Sequence, residues 1–159
     1  ERAAQAALEL ARFAGARGMM GGQTIDLDQE GKETPPKLLD RLHRLKTGAL
    51  IRAACRMGCI LGGGSREQIH LADRYGRHLG LAFQIIDDIL DVVSTTEDLG
   101  KPIGSDEQQH KTTYVTLYGL ERSKELAAIQ TQKALDCLEK LGNARLLIQL
   151  TNWLLERTY

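Results

Sequence analysis

Apolar residues recur at intervals of three and four along most of the chain, the period of helices packed on one side. The opening ERAAQAALELARFAGARGMM predicts an amphipathic helix from about Arg2 to Met20, followed by Gly21-Gly22-Gln23 and a polar stretch ending at Pro35-Pro36. Proline interrupts a helix but suits its first turn. A second helix is therefore expected from Lys37 to about Leu61, with Leu38, Leu42, Leu45, Ala49, Ala53 and Met57 on its apolar stripe and Gly62-Gly63-Gly64 after its end. Ser65 and Gln68 have the spacing of a capping box and open a third helix. It is the longest, because Ala72, Tyr75, Leu79, Ala82, Phe83, Ile86, Leu90 and Val93 keep helical period up to Ser94. The segment STTEDLGKPIGSDEQQHK reads as a polar loop. After Lys111 come a short helix through Tyr118 and two amphipathic helices, about Leu120 to Leu141 and Ala144 to Thr158. No segment alternates with the period of a strand, so the fold class is all-α.

With 159 residues, 42% of them hydrophobic, the chain can bury one sizeable core and reads as one domain or part of one. Twenty-one basic residues balance twenty-one acidic ones, so no global field draws the chain to nucleic acid or to an anionic membrane surface. Any anion must be recognised locally. The apolar runs fall far short of a membrane span. Cys55, Cys59 and Cys137 form an odd set with no secretory signal before them, which fits a reducing cytoplasm. Cys55 and Cys59 lack a His or Cys at ligand spacing and read as small core residues. The triple glycine lacks the Gly-Lys-Ser/Thr of a phosphate loop and lies between helices, so it reads as a connector. The first helix is already under way at Glu1, with no methionine before it, and this predicts a piece of a longer protein.

Candidate chemistry concentrates on the long helix. At 100° per residue, Gln84, Asp88 and Asp91 fall within about 60° of one another, opposite the apolar side. A solvated acidic face is the ordinary reading of such a pattern. Yet Asp87, Asp88 and Asp91 have no Lys or Arg three or four residues away, whereas Glu121 has Lys124 and Glu9 has Arg12. Aspartate is a poor helix former, and like charges one turn apart repel by roughly 0.2 to 0.5 kcal/mol. Something cationic is expected to compensate. Carboxylate oxygens, with other positions left to water and phosphate, are what magnesium accepts. Asp87 and Asp91 are then its direct ligands and Asp88 stands beside them.

Three lysines supply the opposite charge. On a continuous second helix Lys46 falls within the stripe of Leu42, Ala49, Leu50 and Ala53, where it either snorkels to water or meets an anion. Lys101 and Lys111 lie in and at the end of the polar loop, with Gly100 and Gly104 allowing tight backbone paths. Together the lysines can enclose a diphosphate whose metal sits on the aspartates.

The ordered motifs GGQTIDL, LHRLKTGALIRAA, LGLAFQIIDDILDV, LGKPIGSD and KTTY carry a resemblance that runs nearly end to end. The chain resembles the C-terminal half of the trans-prenyl diphosphate synthases, the bacterial farnesyl diphosphate synthases in particular. The resemblance implies an all-α prenyl synthase fold around a deep cavity, with residues 1–159 as the C-terminal part of one domain. It makes the acidic face of the long helix a cavity wall. It also implies that Asp87 and Asp91 ligate Mg2+, that Lys46 and Lys101 hold the allylic diphosphate, and that Thr47, Phe83, Gln84 and Lys111 line the site. Gln23 and Asp26 match cavity residues of the GGQ type more loosely.

The implied substrates are isopentenyl diphosphate and an allylic diphosphate, either dimethylallyl or geranyl diphosphate, and the implied assembly is a homodimer. An allylic diphosphate would ionise to a carbocation, the double bond of isopentenyl diphosphate would attack it, and a proton would be lost. No Ser, Cys or His is needed as a nucleophile, so His43, His70, His78 and His110 read as surface or cap residues. The family's first aspartate-rich motif has no counterpart here, so the chain alone is expected to be inactive and to leave the stripe from Leu42 to Met57 exposed. A geranylgeranyl diphosphate synthase and a non-catalytic subunit of the same fold are the alternatives. A terpene cyclase is disfavoured by KTG, GKPIGSD and the low aromatic content.

Overall fold

The computed structural model of the chain describes residues 1–93 and 111–156. Among these residues lie eight helices and no strand: α1 Arg2–Ala14, α2 Met19–Gln29, α3 Pro36–Lys46, α4 Gly48–Leu61, α5 Arg66–Val93, α6 Tyr114–Tyr118, α7 Leu120–Leu141 and α8 Arg145–Glu156. The axis of the assembly is α5, which packs along α4 and α7 and also touches α3, α6 and α8. Its start follows from the capping box: the Ser65 N–H donates to Gln68 Oε1 at 2.8 Å, and the Gln68 N–H to Ser65 Oγ at 3.2 Å.

Two expected helices are divided. The first ends at Ala14, and a new helix, α2, runs through Gly21, Gly22 and Gln23, where a polar irregular stretch was expected. Glycine costs a helix about 1 kcal/mol, so propensity argues against α2. Packing overrides it, because α2 crosses the end of α3 at Gly22, where a Cβ would stand 2.2 Å from the Lys46 backbone nitrogen. Only glycine permits that approach. The second division falls at Thr47, with φ −107° and ψ −49°, between α3 and α4. The break re-aims α4 across α5, where Gly48 meets Gly80 so closely that a Cβ on Gly80 would lie 2.9 Å from the Gly48 Cα.

The inner side of α5 contributes Ile85, Ile86, Ile89 and Leu90 to a core completed by Leu39, Tyr114, Ala127 and Leu154. Burying each of those large side chains contributes roughly 1.5 to 3 kcal/mol. Tyr75, Ala134, Cys137 and Leu138 form a second cluster towards the other end. Contrary to expectation, much of the stripe from Leu42 to Met57 is covered: Leu42 is buried on α3, which packs on α2, α4 and α5, and Ala49 and Ala53 are buried on α4, which packs on α1 and α5.

Polar ties join the same elements. Arg56 Nε reaches Glu9 at 2.6 Å, and Arg52 makes a forked pair with Asp73 at 3.0 and 2.9 Å while lying over the Phe13 ring. The three cysteines are free thiols, and burial pushes the Cys55 thiol up to about 11, which keeps it unreactive. Among the described residues no helix is long and apolar enough to cross a membrane.

Candidate active site

A cavity of about 290 Å³ opens between α2, α3, α5 and the segment leading into α6. From α3 and its end come Leu39, Leu42, His43, Lys46 and Thr47; from α5 come Phe83, Gln84, Asp87 and Asp88; α2 gives Asp26 and Gln29, and the last wall is Lys111, Thr112 and Thr113. The Thr34 N–H donates to Thr112 Oγ1 at 2.9 Å, tying the approach to α3 to that last wall. Of the residues expected in the site, Lys46, Thr47, Phe83, Gln84, Asp87, Asp88, Asp26 and Lys111 meet here. Gln23 does not, because it is exposed on α2 one turn before Asp26, beyond the cavity. Asp91 is buried one turn after Asp87 and lies outside this lining. Lys101 and His110 lie outside the described residues.

The aspartates are not equivalent. Asp88 is 3% exposed, and its Oδ2 accepts from the Tyr114 backbone N–H at 2.8 Å, satisfying a free amide in the first turn of α6. Thr113 and Thr116 complete that turn as a reciprocal cap. The wheel placed Asp88 and Asp91 opposite the apolar side of α5, yet both are buried. Asp87 is half-buried at the cavity wall. Among the described residues no group of three or more His, Cys, Asp and Glu side chains is gathered so as to hold a metal ion. Asp88 is tied to α6 through its Oδ2.

Lys46 ends α3, so it never belonged to the continuous stripe that includes Ala49, Leu50 and Ala53. Its side chain is 35% exposed, and Nζ stands 2.5 Å from Asp26 Oδ2. The close crossing at Gly22 puts Asp26, one turn further along α2, within that reach. The break after Lys46 aims the Thr47 hydroxyl at α5, where it donates to Gln84 Oε1 at 3.0 Å.

His43 was expected at the surface and is instead buried, 7% exposed, and stacked on Tyr114 with ring centroids 5.6 Å apart. Burial pushes its imidazole down to about 4, against the weaker pull of Asp40 and Asp26, so it is neutral. The Tyr114 hydroxyl donates to Asp40, and burial followed by that bond raises its pKa. Asp40 and Tyr114 escaped sequence reasoning because they are 74 residues apart. His43 left one signal, its position one residue after Leu42 and three before Lys46.

The polyprenyl synthetase family model matches residues 6–146. The chain belongs to the polyprenyl synthetase family. Farnesyl diphosphate synthase of Escherichia coli K12 is 48% identical over 87% of this chain and 46% of that protein. The Arabidopsis thaliana putative chloroplastic geranylgeranyl pyrophosphate synthase 8 is 45% identical over 84% and 38%. A geranyltransferase of Helicobacter pylori, solved as a complex with magnesium and isoprenyl diphosphate, superposes with TM-score 0.81 at 32% identity, covering 98% of this chain and 51% of the other. The all-α prenyl synthase fold is thereby established, and the chain spans about half the length of the family members it matches.

Proposed function

We propose that the chain supplies one wall of a magnesium-dependent prenyl diphosphate synthase site. That site joins an allylic diphosphate, dimethylallyl or geranyl, to isopentenyl diphosphate and yields farnesyl diphosphate. The carrying observation is the single cavity in which Lys46, Lys111, Thr47, Gln84, Asp87 and Phe83 meet from separate segments. Residues 1–159 would be the C-terminal part of one domain, and the whole enzyme a cytoplasmic homodimer.

The donor chemistry fits magnesium, which takes one or two carboxylate oxygens and leaves its other positions to water and phosphate. Asp87 and Asp91, one turn apart on α5, would hold the ion with Asp88 beside them. Bound magnesium supplies neutralisation of the charge that grows on the departing diphosphate. Lys46, Lys111 and Lys101 would bind the diphosphate oxygens as point charges, most strongly as negative charge accumulates there. Thr47 and Gln84 would orient the substrate from their mutual hydrogen bond, and Phe83 would meet its hydrocarbon.

A geranylgeranyl product is the second reading, favoured by the plant relatives. Calorimetric titration with pyrophosphate tests the site itself. Binding is expected with magnesium and should nearly vanish with EDTA; equal binding in both would overturn the metal bridge.

A further inference from the structure

Both ring nitrogens of His43 are buried without a hydrogen-bond partner. Stacking on Tyr114 accounts for a flat ring at this position, and phenylalanine would serve that purpose without burying two unpaired polar atoms. Leaving such atoms unsatisfied costs about 1 to 3 kcal/mol each, so the imidazole calls for a partner beyond the ring it stacks on.

Three charged groups act on His43: the Asp40 and Asp26 carboxylates and the Lys46 ammonium. Asp40 is engaged, since it accepts the Tyr114 hydroxyl and pairs with Arg44 at 3.5 Å. Asp26 is engaged by Lys46 at 2.5 Å, but only while Lys46 remains there. A diphosphate entering the cavity competes for that same ammonium. Once Lys46 turns to the anion, Asp26, whose side chain is only 20% exposed, is left without its counter-charge beside the bound phosphates.

We propose that His43 is a positioning residue that takes over Asp26 when a bound diphosphate draws Lys46 away, its imidazole N–H donating to the Asp26 carboxylate. The inference rests on the diphosphate reading of the cavity. His43 and Asp26 both line that cavity, and His43 precedes Lys46 by one turn on the same face of α3. Each partner is satisfied after the exchange: Lys46 by phosphate, Asp26 by imidazole, and one nitrogen of His43 by carboxylate.

Pyrophosphate titration in the presence of magnesium provides the test, applied to the wild type, His43→Phe, His43→Gln, Asp26→Asn, Lys46→Met and the double variant His43→Phe/Asp26→Asn. His43→Phe keeps the stacked ring, removes the two unpaired nitrogens, and is expected to fold at least as stably as wild type in urea. Its affinity should fall about tenfold or more, the worth of a hydrogen bond to a charged group. His43→Gln, which retains an N–H donor, should recover most of that loss. In the Asp26→Asn background, His43→Phe should cost much less than it does alone, a non-additivity that general loosening of the cavity would not produce. Unchanged affinity of His43→Phe, or equal cost in both backgrounds, would overturn the role of His43 while leaving the diphosphate site standing, provided that the wild type binds and Lys46→Met does not. Absence of magnesium-dependent binding by the wild type would overturn the diphosphate reading and this inference together.

Discussion

The carboxylate of Asp88 is held by the backbone N–H of Tyr114 at 2.8 Å, so a residue of the aspartate-rich motif also anchors the first turn of α6. Asp87, its neighbour, lines the same cavity as Asp88 but is only half-buried there. Adjacent aspartates of one motif therefore have separable roles.

Asp88→Ala should destabilise the protein by about 1 to 3 kcal/mol, because the buried Tyr114 amide loses its acceptor. Asp87→Asn should leave stability unchanged or raise it slightly by relieving repulsion along α5, while magnesium-dependent pyrophosphate binding is lost. Urea denaturation and calorimetry on the two variants separate the roles; a larger stability loss for Asp87→Asn than for Asp88→Ala would reverse them.

Replacing Lys46 with methionine preserves the length of the stem, and the fold should survive, since the ammonium is partly exposed and its pair with Asp26 is half-buried. Magnesium-dependent pyrophosphate affinity should drop by more than tenfold. Retained affinity would return Lys46 to the role of a plain partner for Asp26.

Gly22→Ala tests the helix crossing. A methyl group there would overlap the Lys46 backbone, and α2 would have to move away from α3. A stability loss of about 2 kcal/mol or more is expected, in the range of overpacked sites, together with weaker pyrophosphate binding because both Asp26 and Lys46 shift. By contrast Gly58→Ala, where a Cβ meets nothing within 4 Å, should be neutral or stabilising.

His43 links stability to pH. Its folded pKa of about 4 lies below the ordinary value of 6.5, so between these limits the unfolded chain binds more protons than the folded one. Stability should therefore be complete above about pH 6.5 and fall as the pH drops towards 4, by roughly 2 to 4 kcal/mol from this group. Carboxylates titrate over part of the same range, so the comparison is with His43→Phe, in which this component of the slope should disappear.

Helix existence was legible in the sequence because burial on one side imposes a 3.6-residue period, and Ile86, Leu90 and the Ser65–Gln68 cap belong to that local code. Asp87 stood out too, in a cluster without local counter-charge, and Lys46 by its place in a stripe that the break at Thr47 divides, whereas the site roles of Thr47 and Gln84 came only from the family resemblance. What the tertiary structure alone decided is where neighbouring backbones touch. At Gly22 α2 presses on the Lys46 backbone, and beyond the break at Thr47 Gly48 lies close against Gly80. Neither contact has a signature in local periodicity. For the same reason the bond from the Tyr114 amide to Asp88 had no signature in the sequence, which placed Asp88 beside a metal, and the sequence offered no sign that His43 would stack on Tyr114, 71 positions away. Propensity and periodicity act within a turn or two of chain, whereas the partners of a buried polar atom are set by which helices cross, and at what distance.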